Sequence, residues 1–359
     1  MSLRPTKCDM MVIAVSALGY ALLALYIHIT GFNVVASDCV MYNRWSHAWW
    51  EFAAHTQLPL YPFLLWVFRS LTFDLLSDGA LMQAVALLFA AGSYFYVYKI
   101  LRQYLPAAHN IGFVVFGLYP FVGLWFAFDP RADTLAVFCL TAALYYSLGG
   151  NWRVFALCLA AALMSHKAIW PFAVLLAADA IWRKKCPVVW PLVALLPLVG
   201  YWVWGLYHGQ GLLWLVRGNV QGEIASKSAL PIMDGLLGTF LYQRSAAKLF
   251  KACVILALFA MSAALLAWNL RRFRQPDSLF NLAIVVPILF LTVVLNQYEV
   301  WAAVRFSQVI AIPLAAFFVA NERLRKFFER PVFFAAAALT CLLTNFLFCH
   351  YAMKLTSAM

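Results

Sequence analysis

The sequence predicts an all-α, polytopic membrane protein with about eleven transmembrane helices and two interfacial helices in its first outer loop. Of its 359 residues, 65% are hydrophobic and only 11% are charged, whereas soluble domains are about 45–50% apolar and about 25% charged. Its uncharged runs reach the roughly 17–25 residues that a spanning helix needs, and these runs exclude the alternating strands of an outer-membrane barrel. We interpret residues 1–359 as a single transmembrane domain.

The predicted spans follow one another along the chain. The first is 10–29, which follows Arg4 and Lys7. The other ten are 79–98, 111–127, 131–148, 152–166, 168–182, 186–207, 252–270, 279–296, 300–320 and 332–353. The segment 58–76 is ambiguous, because it is apolar but contains Arg69 and Asp74. The eight cysteines have no metal-ligand spacing and lie mostly in apolar runs, so we expect small buried hydrophobic side chains.

The distribution of Lys and Arg residues decides whether the segment 58–76 crosses the membrane. If 58–76 lies at the interface without crossing, 15 of the 26 Lys and Arg residues fall on one side of the membrane, which the positive-inside rule makes cytoplasmic. We therefore predict a cytoplasmic N-terminus and two large outer loops, 30–78 and 208–251. The glycines of the second loop indicate either a mobile segment that closes over a ligand or an ordinary connection. We attribute the net charge of +12 to this topology and to contacts with anionic lipid headgroups, and not to nucleic-acid binding.

The first outer loop opens with an aromatic-rich stretch at 37–61. On a helix, its aromatic residues share one face and its polar residues share another. These sets are Tyr42, Trp45, Trp49 and Phe52, and Arg44, His47, Glu51 and His55. A helix of this kind belongs at a membrane surface, where we expect it to cover an active site. A metal site at His47, Glu51 and His55 is disfavoured, because the spacing is not HExxH and no fourth ligand is evident.

The topology gathers charged residues at the outer face. They are Asp38, Asp129, Asp133, Lys167, Glu299 and Arg305. The span 152–166 has only about 12 apolar positions, about 18 Å of helix against a core of about 30 Å, so His166 and Lys167 lie at membrane depth or in a watery recess. Charges there are costly unless they face a cavity or a partner. Arg44 and Arg131 are further cations on this side, which favours an anionic ligand.

This set of groups suits one kind of chemistry. A carboxylate can take a proton from an acceptor hydroxyl. Lys and Arg can hold a phosphate and stabilise the charge that grows on it as it leaves. Transfer of a sugar from a lipid-phosphate donor requires both.

Three stretches carry a family resemblance. They are Asp38 with the later LPLYPFLLW (58–66), FDPRADTLAVFCLTAALYY (128–146) and MSHKAIWPF (164–172). In order and spacing the chain resembles the GT-C superfamily of integral-membrane glycosyltransferases, which use polyprenyl- or dolichyl-phosphate-linked sugars. The third stretch is similar to the HFKxYP stretch of the mannosyltransferases that build glycosylphosphatidylinositol anchors. The late span EVWAAVRFSQVIAIPLAAFF (299–318) resembles the span whose Arg holds the lipid phosphate in this superfamily, which also contains the lipid A aminoarabinose and protein O-mannosyl transferases.

The resemblance implies a role for each matching residue. Asp38 would be the catalytic base and Asp129 or Asp133 the second acid. The residues that would contact the donor are Lys167, His166, Arg305, Glu299, Arg131, Arg44 and Tyr61. Most members need no metal; some use a divalent cation, which Asp38 with Asp129 or Asp133 could hold. Leu58 stands where the family has a Lys, so another cation must serve there.

The resemblance also implies partners and a location. The donor would be a polyprenyl-phosphate hexose, for example of mannose or glucose. With no large soluble domain, we expect the acceptor to be a glycolipid or surface glycan that receives a single sugar. Membrane lipids would surround the chain, in the bacterial inner membrane or, in a eukaryote, in the endoplasmic reticulum.

Structural interpretations of the same residues stay open. Asp38 could cap the interfacial helix, and the aromatic run could be an interface belt. His166 and Lys167 could form a snorkelling helix end, while Arg131 and Arg305 could each pair with nearby acids. We interpret the Asp179–Arg183 spacing as a structural ion pair.

Other classes of protein stay open as well. A polysaccharide polymerase shares outer basic residues, and an acyltransferase would use His166 as its base. A transporter of lipid-linked sugars is disfavoured, because no internal repeat is visible and the charges lie at one face.

Overall fold

The computed structural model describes residues 37–50, 58–104 and 132–215 and the single positions 14, 18, 22 and 25. Their secondary structure is helical, with no strand between 37 and 215 in the parts described. The helices are α1 (Ser37–His47), α2 (Leu60–Leu71), α3 (Asp78–Tyr104), α4 (Asp133–Leu148), α5 (Trp152–Ser165), α6 (Trp170–Lys184) and α7 (Val189–Tyr207), with a 3-10 turn at Lys167–Ile169 before α6. The all-α prediction is confirmed for these residues.

Among the residues that the structure describes, two helices are long and apolar enough to cross a membrane, namely Asp78–Ile100 within α3 and Val189–Tyr207, which is α7. The predicted spans 131–148, 152–166 and 168–182 are also helices, of 16, 14 and 15 residues. In the predicted first span, Ala14, Leu18, Leu22 and Leu25 are helical and exposed. The spans predicted at 111–127 and after residue 252 lie outside the described residues, so the number eleven stays a prediction.

The ambiguous segment forms a short helix. Helix α2 has 12 residues, about 18 Å in length, which is too short to cross a hydrocarbon core of about 30 Å. Pro59 precedes it and Pro62 lies in its first turn, where the missing N–H of proline leaves no helical hydrogen bond unmade. These dimensions suit the interfacial placement that the charge distribution predicts.

Helices α3, α4 and α5 form the centre of the fold. Helix α4 packs against both α3 and α5, and α7 packs against α5. Phe89 and Tyr96 of α3 contact Phe138 and Tyr145 of α4, with ring centroids 5.3 and 5.5 Å apart. Residues increase in the same direction along both helices at these contacts, so α3 and α4 run parallel. The turn at 149–151 then reverses the chain into α5.

The fold therefore has two ends. One end, which we call the polar end, holds α1, α2 and the starts of α3, α4 and α6, together with the ends of α5 and α7. The opposite end holds the C-termini of α3 and α6 and the start of α5. Its basic residues are Lys99, Arg102, Arg153, Arg183, Lys184 and Lys185. This grouping is the one that the positive-inside rule predicts for the cytoplasmic side.

The opposite end is tied together by one buried acid. Asp179 of α6 is 6% exposed and lies 3.4 Å from Arg183 Nη1 and 3.1 Å from Lys184 Nζ. Lys184 also donates to Ser147 Oγ of α4 at 3.0 Å. The predicted structural pair of Asp179 and Arg183 is confirmed, and Lys184 extends it to a second helix.

Four cysteines fall within the described residues. Cys39, Cys139 and Cys186 are buried and Cys158 is half-buried. These positions agree with the prediction of small buried hydrophobic side chains.

Gly92 sets the close approach of α3 to α4. A Cβ atom built on Gly92 would lie 2.5 Å from Cε2 of Phe138. We expect Gly92→Ala to push the Phe138 ring aside and to lower stability by about 1–3 kcal/mol, the usual cost of overpacking. Thermal unfolding in detergent micelles measures this effect. The double variant Gly92→Ala/Phe138→Leu should recover part of the loss; an unchanged midpoint in the single variant would contradict the close packing.

Candidate active site

Asp133 begins α4 at the polar end. It is the first residue of the helix and is 1% exposed. An acid in the first turn is favoured by the helix dipole. The N-cap residue Ala132 provides no side-chain hydrogen bond to the helix. The carboxylate of Asp133 is therefore placed at the helix start, inside the protein, where burial of a charge is costly unless other groups compensate it.

His166 lies beside this carboxylate. Its Nε2 atom is 3.8 Å from Asp133 Oδ1. Helix α5 ends at Ser165, and His166 is extended, with φ −153° and ψ 133°. The turn is fixed by the Trp170 indole, which donates to Leu163 O at 2.9 Å, and by Ile169 N, which donates to His166 O at 3.1 Å. The short length of α5 thus brings His166 to the start of α4.

Lys167 follows in the 3-10 turn between α5 and α6. Its Nζ atom is buried and has no hydrogen-bond partner among the residues that the structure describes. Burial disfavours the charged form of Lys167, because the ammonium group loses water contacts. An ammonium group in this position gains most from an anion that enters the recess.

Helix α1 shares an apolar cluster with residues on either side of this turn. Trp45 of α1 is buried in one apolar cluster with Leu58, Tyr201, Trp214 and Leu215, against which Met164 and Trp170 pack. The residues after α7 fold back onto it: Trp202 Nε1 donates to Leu212 O at 2.9 Å and Trp214 Nε1 to Trp202 O at 3.3 Å. Helix α1, which carries Asp38, therefore lies at the end of the fold that holds His166 and Lys167.

The predicted site residues are placed as follows. The structure brings Asp133 and His166 together, with Lys167 next along the turn. Asp38 is the second residue of α1 and lies within the helix, so it is not the residue that precedes and caps it. The remaining predicted residues, Asp129, Arg131, Glu299 and Arg305, lie outside the described residues, and their roles stay predictions.

The structure describes the surroundings of two residues that are predicted to contact the donor, Tyr61 and Arg44. Tyr61 is fully buried and packs edge-on against Tyr42, with ring centroids 5.1 Å apart. The structure thus gives Tyr61 a packing contact, and its part in binding stays a prediction. Arg44 is exposed on α1, as expected for a residue of the predicted polar face.

The first interfacial helix is shorter than its periodicity predicts. It ends at His47, and residues 48–50 form a turn. Tyr42 and Trp45 are buried, whereas Arg44 and His47 are exposed, so the two predicted faces exist up to that point. The placement of Trp49 on the helix is wrong. Trp49 instead packs against Phe63 of α2, at 4.7 Å between ring centroids, while Phe52, Glu51 and His55 lie outside the described residues.

Sequence reasoning missed a polar cluster around Arg69. Arg69 is 8% exposed and donates to Ser46 Oγ and Asn43 Oδ1, each at 2.8 Å, and to Asp78 Oδ1 at 2.9 Å. Asn43 also donates to Asp78 Oδ2 at 2.8 Å. The available signal was a single Arg in an otherwise apolar segment. This cluster joins α1, α2 and the start of α3, and so fixes the helix that carries Asp38.

We expect Arg69→Leu to destabilise this junction by about 1.5–3 kcal/mol, because it leaves Asp78 and Asn43 without their charged partner. The midpoint of thermal unfolding in detergent should fall, and proteolysis near α1 should become faster. Arg153→Leu removes an exposed Arg and should change the midpoint little. Equal midpoints for Arg69→Leu and Arg153→Leu would show that the cluster does not support the fold.

The described residues contain no group of three or more His, Cys, Asp or Glu side chains placed to hold a metal ion. Asp129, which the sequence pairs with Asp38 in such a role, is not among them. His47 lies 3.7 Å from Asp78, as Nε2 to Oδ2. Its partner is thus a carboxylate of the Arg69 cluster.

Comparisons with protein-family models, with curated proteins and with solved structures found no match to this chain. Inference about its activity therefore rests on the sequence and on the geometry described above.

Proposed function

We propose that this protein is an integral-membrane glycosyltransferase of the GT-C type, with the polar end at the outer or luminal face. It transfers a single hexose from a polyprenyl-phosphate donor to a hydroxyl of a glycolipid or surface glycan. The observation that carries the proposal is that α1, the start of α4 and the His166–Lys167 turn all lie at the same end of the helices. These elements place a carboxylate, an imidazole and a buried ammonium in the region where the sequence predicts the donor phosphate.

The proposed reaction is one inverting displacement. Asp38 takes the proton from the acceptor hydroxyl, whose oxygen forms a new bond to C1 of the sugar. The bond from C1 to the phosphate oxygen breaks, and the polyprenyl phosphate leaves with both bonding electrons. Lys167 and Arg305 bind the phosphate and stabilise its growing charge. Asp133 holds His166 beside Lys167, so that the turn keeps its shape when the phosphate enters.

The shape of the polar end supports a lipid donor. Helix α5 has 14 residues, about 21 Å, which is shorter than a hydrocarbon core of about 30 Å. Its end, with His166 and Lys167, therefore lies below the membrane surface if its start lies at the opposite surface. A phosphate attached to a long isoprenoid tail reaches this depth from within the bilayer.

A membrane acyltransferase is the second candidate. The observation in its favour is the His166–Asp133 pair, because an imidazole beside a buried carboxylate is the arrangement of a general base. The two candidates place the essential base differently. The glycosyltransferase needs Asp38, and the acyltransferase needs His166.

Membranes that contain the protein can be supplied in parallel with labelled polyprenyl-phosphate hexose and with a labelled acyl donor. We expect label to enter glycan or glycolipid only from the sugar donor, and we expect His166→Gln to retain part of this activity. If label is transferred only from the acyl donor, and this transfer is lost in His166→Gln, the protein is an acyltransferase and the proposal is wrong. Transfer from neither donor would leave both without support.

A further inference from the structure

The connection between α2 and α3 exposes an unusual number of large apolar side chains. Leu71 is 66% exposed, Phe73 83%, Leu75 84% and Leu76 43%; we call these four residues the apolar tip. Leu71 is the last residue of α2, and the other three lie between α2 and α3, so none of them belongs to a spanning helix. Contiguous exposed apolar side chains of this size mark a surface that contacts a membrane or another protein.

The backbone of the turn holds these side chains outward. Phe73 and Asp74 both have left-handed backbone angles, with φ of 49° and 56°, which residues other than glycine adopt rarely. Hydrogen bonds fix the turn: Leu75 N donates to Thr72 O at 3.0 Å and Asp74 N to Arg69 O at 3.3 Å. A conformation of this kind persists only where surrounding contacts hold it. The tip is thus an ordered feature of the fold.

The polar side of the turn faces the Arg69 cluster. Arg69 Nε lies 3.9 Å from Asp74 Oδ1, and the same guanidinium binds Asp78 at the start of α3. Thr72 Oγ1 donates back to Phe68 O of α2 at 3.0 Å. Polar groups therefore anchor the turn to the protein, while the apolar side chains of the tip are exposed.

The position of the tip indicates what covers it. Asp78, only two residues after Leu76, begins the segment Asp78–Ile100, which is long and apolar enough to cross a membrane. The tip thus stands at the level where this helix enters the bilayer. Trp66 of α2 packs against Trp50, which is 55% exposed, with ring centroids 6.4 Å apart. Exposed tryptophan is typical of the membrane interface.

We propose that the apolar tip inserts into the lipid bilayer at the boundary between headgroups and acyl chains. Its insertion fixes α2 on the membrane surface, and through the Arg69 cluster it fixes α1 as well. This lipid contact depends on the membrane placement of α3 and not on sugar transfer, so the two proposals can fail separately. The partner is the bilayer itself, since the tip adjoins a spanning segment.

Photo-crosslinking in nanodiscs tests the proposal. Benzoylphenylalanine is placed at Phe73, at Leu75 or, as a control, at Arg44 in the full chain, and the nanodiscs contain phosphatidylcholine with tritiated acyl chains. We expect tritium labelling of the protein to be several-fold higher from positions 73 and 75 than from position 44. Position 75 gives an independent measurement if the variant at 73 fails to fold. Labelling no higher than that of the control, or a crosslinked dimer in place of the lipid adduct, would overturn the proposal.

Discussion

Asp38→Asn is expected to lower the rate of sugar transfer by about 10²–10⁴-fold, the range that a positioned general base contributes. Asparagine keeps the size of the side chain but cannot accept the proton of the acceptor hydroxyl. The measurement is the initial rate of label transfer from polyprenyl-phosphate hexose by purified protein in vesicles. Asp38→Glu should retain more activity than Asp38→Asn, because it keeps the carboxylate.

Stability must be separated from chemistry in this experiment. Asp38 lies within α1, where asparagine and aspartate have similar helix propensities. We therefore expect Asp38→Asn to shift the unfolding midpoint only slightly. Full activity of Asp38→Asn would contradict the role of Asp38 as the base, whatever the stability of the variant.

Lys167→Met is expected to lower kcat/KM for the lipid donor by about 10²–10³-fold, the usual loss when one group that stabilises a developing charge is removed. The same change should raise stability or leave it unchanged, because a buried amine without a described partner is replaced by an apolar side chain of similar length. A rise in stability together with a loss of activity would identify a residue held in the fold for its function.

The matched control for Lys167→Met lies at the other end of α6. Lys185 is exposed and adopts a left-handed backbone with φ of 55°, which asparagine tolerates well. Lys185→Asn removes the same charge at the opposite end of the fold and should leave kcat/KM for the donor unchanged. Equal losses in the two variants would show that net charge, and not a phosphate contact, is responsible.

The helical class and the positions of α3, α4, α5 and α7 could be predicted because they depend on apolar runs, which are local properties of the sequence. The interfacial placement of 58–76 was predicted from the distribution of Lys and Arg between the two sides of the membrane, whereas the short length of α2 was not predicted. The start of α6 was predicted two residues early, at 168, where the structure has a 3-10 turn. Pro171, which lies in the first turn of α6, is the sequence signal for the true start.

Contacts between distant segments could not be predicted in the same way. Periodicity extends the aromatic face of α1 through Trp49, but the Trp49 ring packs on Phe63 and Trp66 of α2, and the chain turns there. Arg69 was visible as an isolated charge, whereas its partners come from two other helices. The predicted topology placed Asp133 and His166 at the same face of the membrane. Their separation of 3.8 Å depends on how α4 and α5 pack, which the topology does not specify.

The most direct test of the proposed activity uses purified protein in vesicles and a donor labelled differently in its hexose and in its polyprenyl chain. The proposal predicts that one labelled hexose reaches the acceptor, with inverted configuration at C1, for each polyprenyl phosphate released. Asp38→Asn should abolish both products together. Failure of the wild-type protein to release polyprenyl phosphate from any such donor, with a suitable glycolipid acceptor present, would contradict the assignment as a glycosyltransferase.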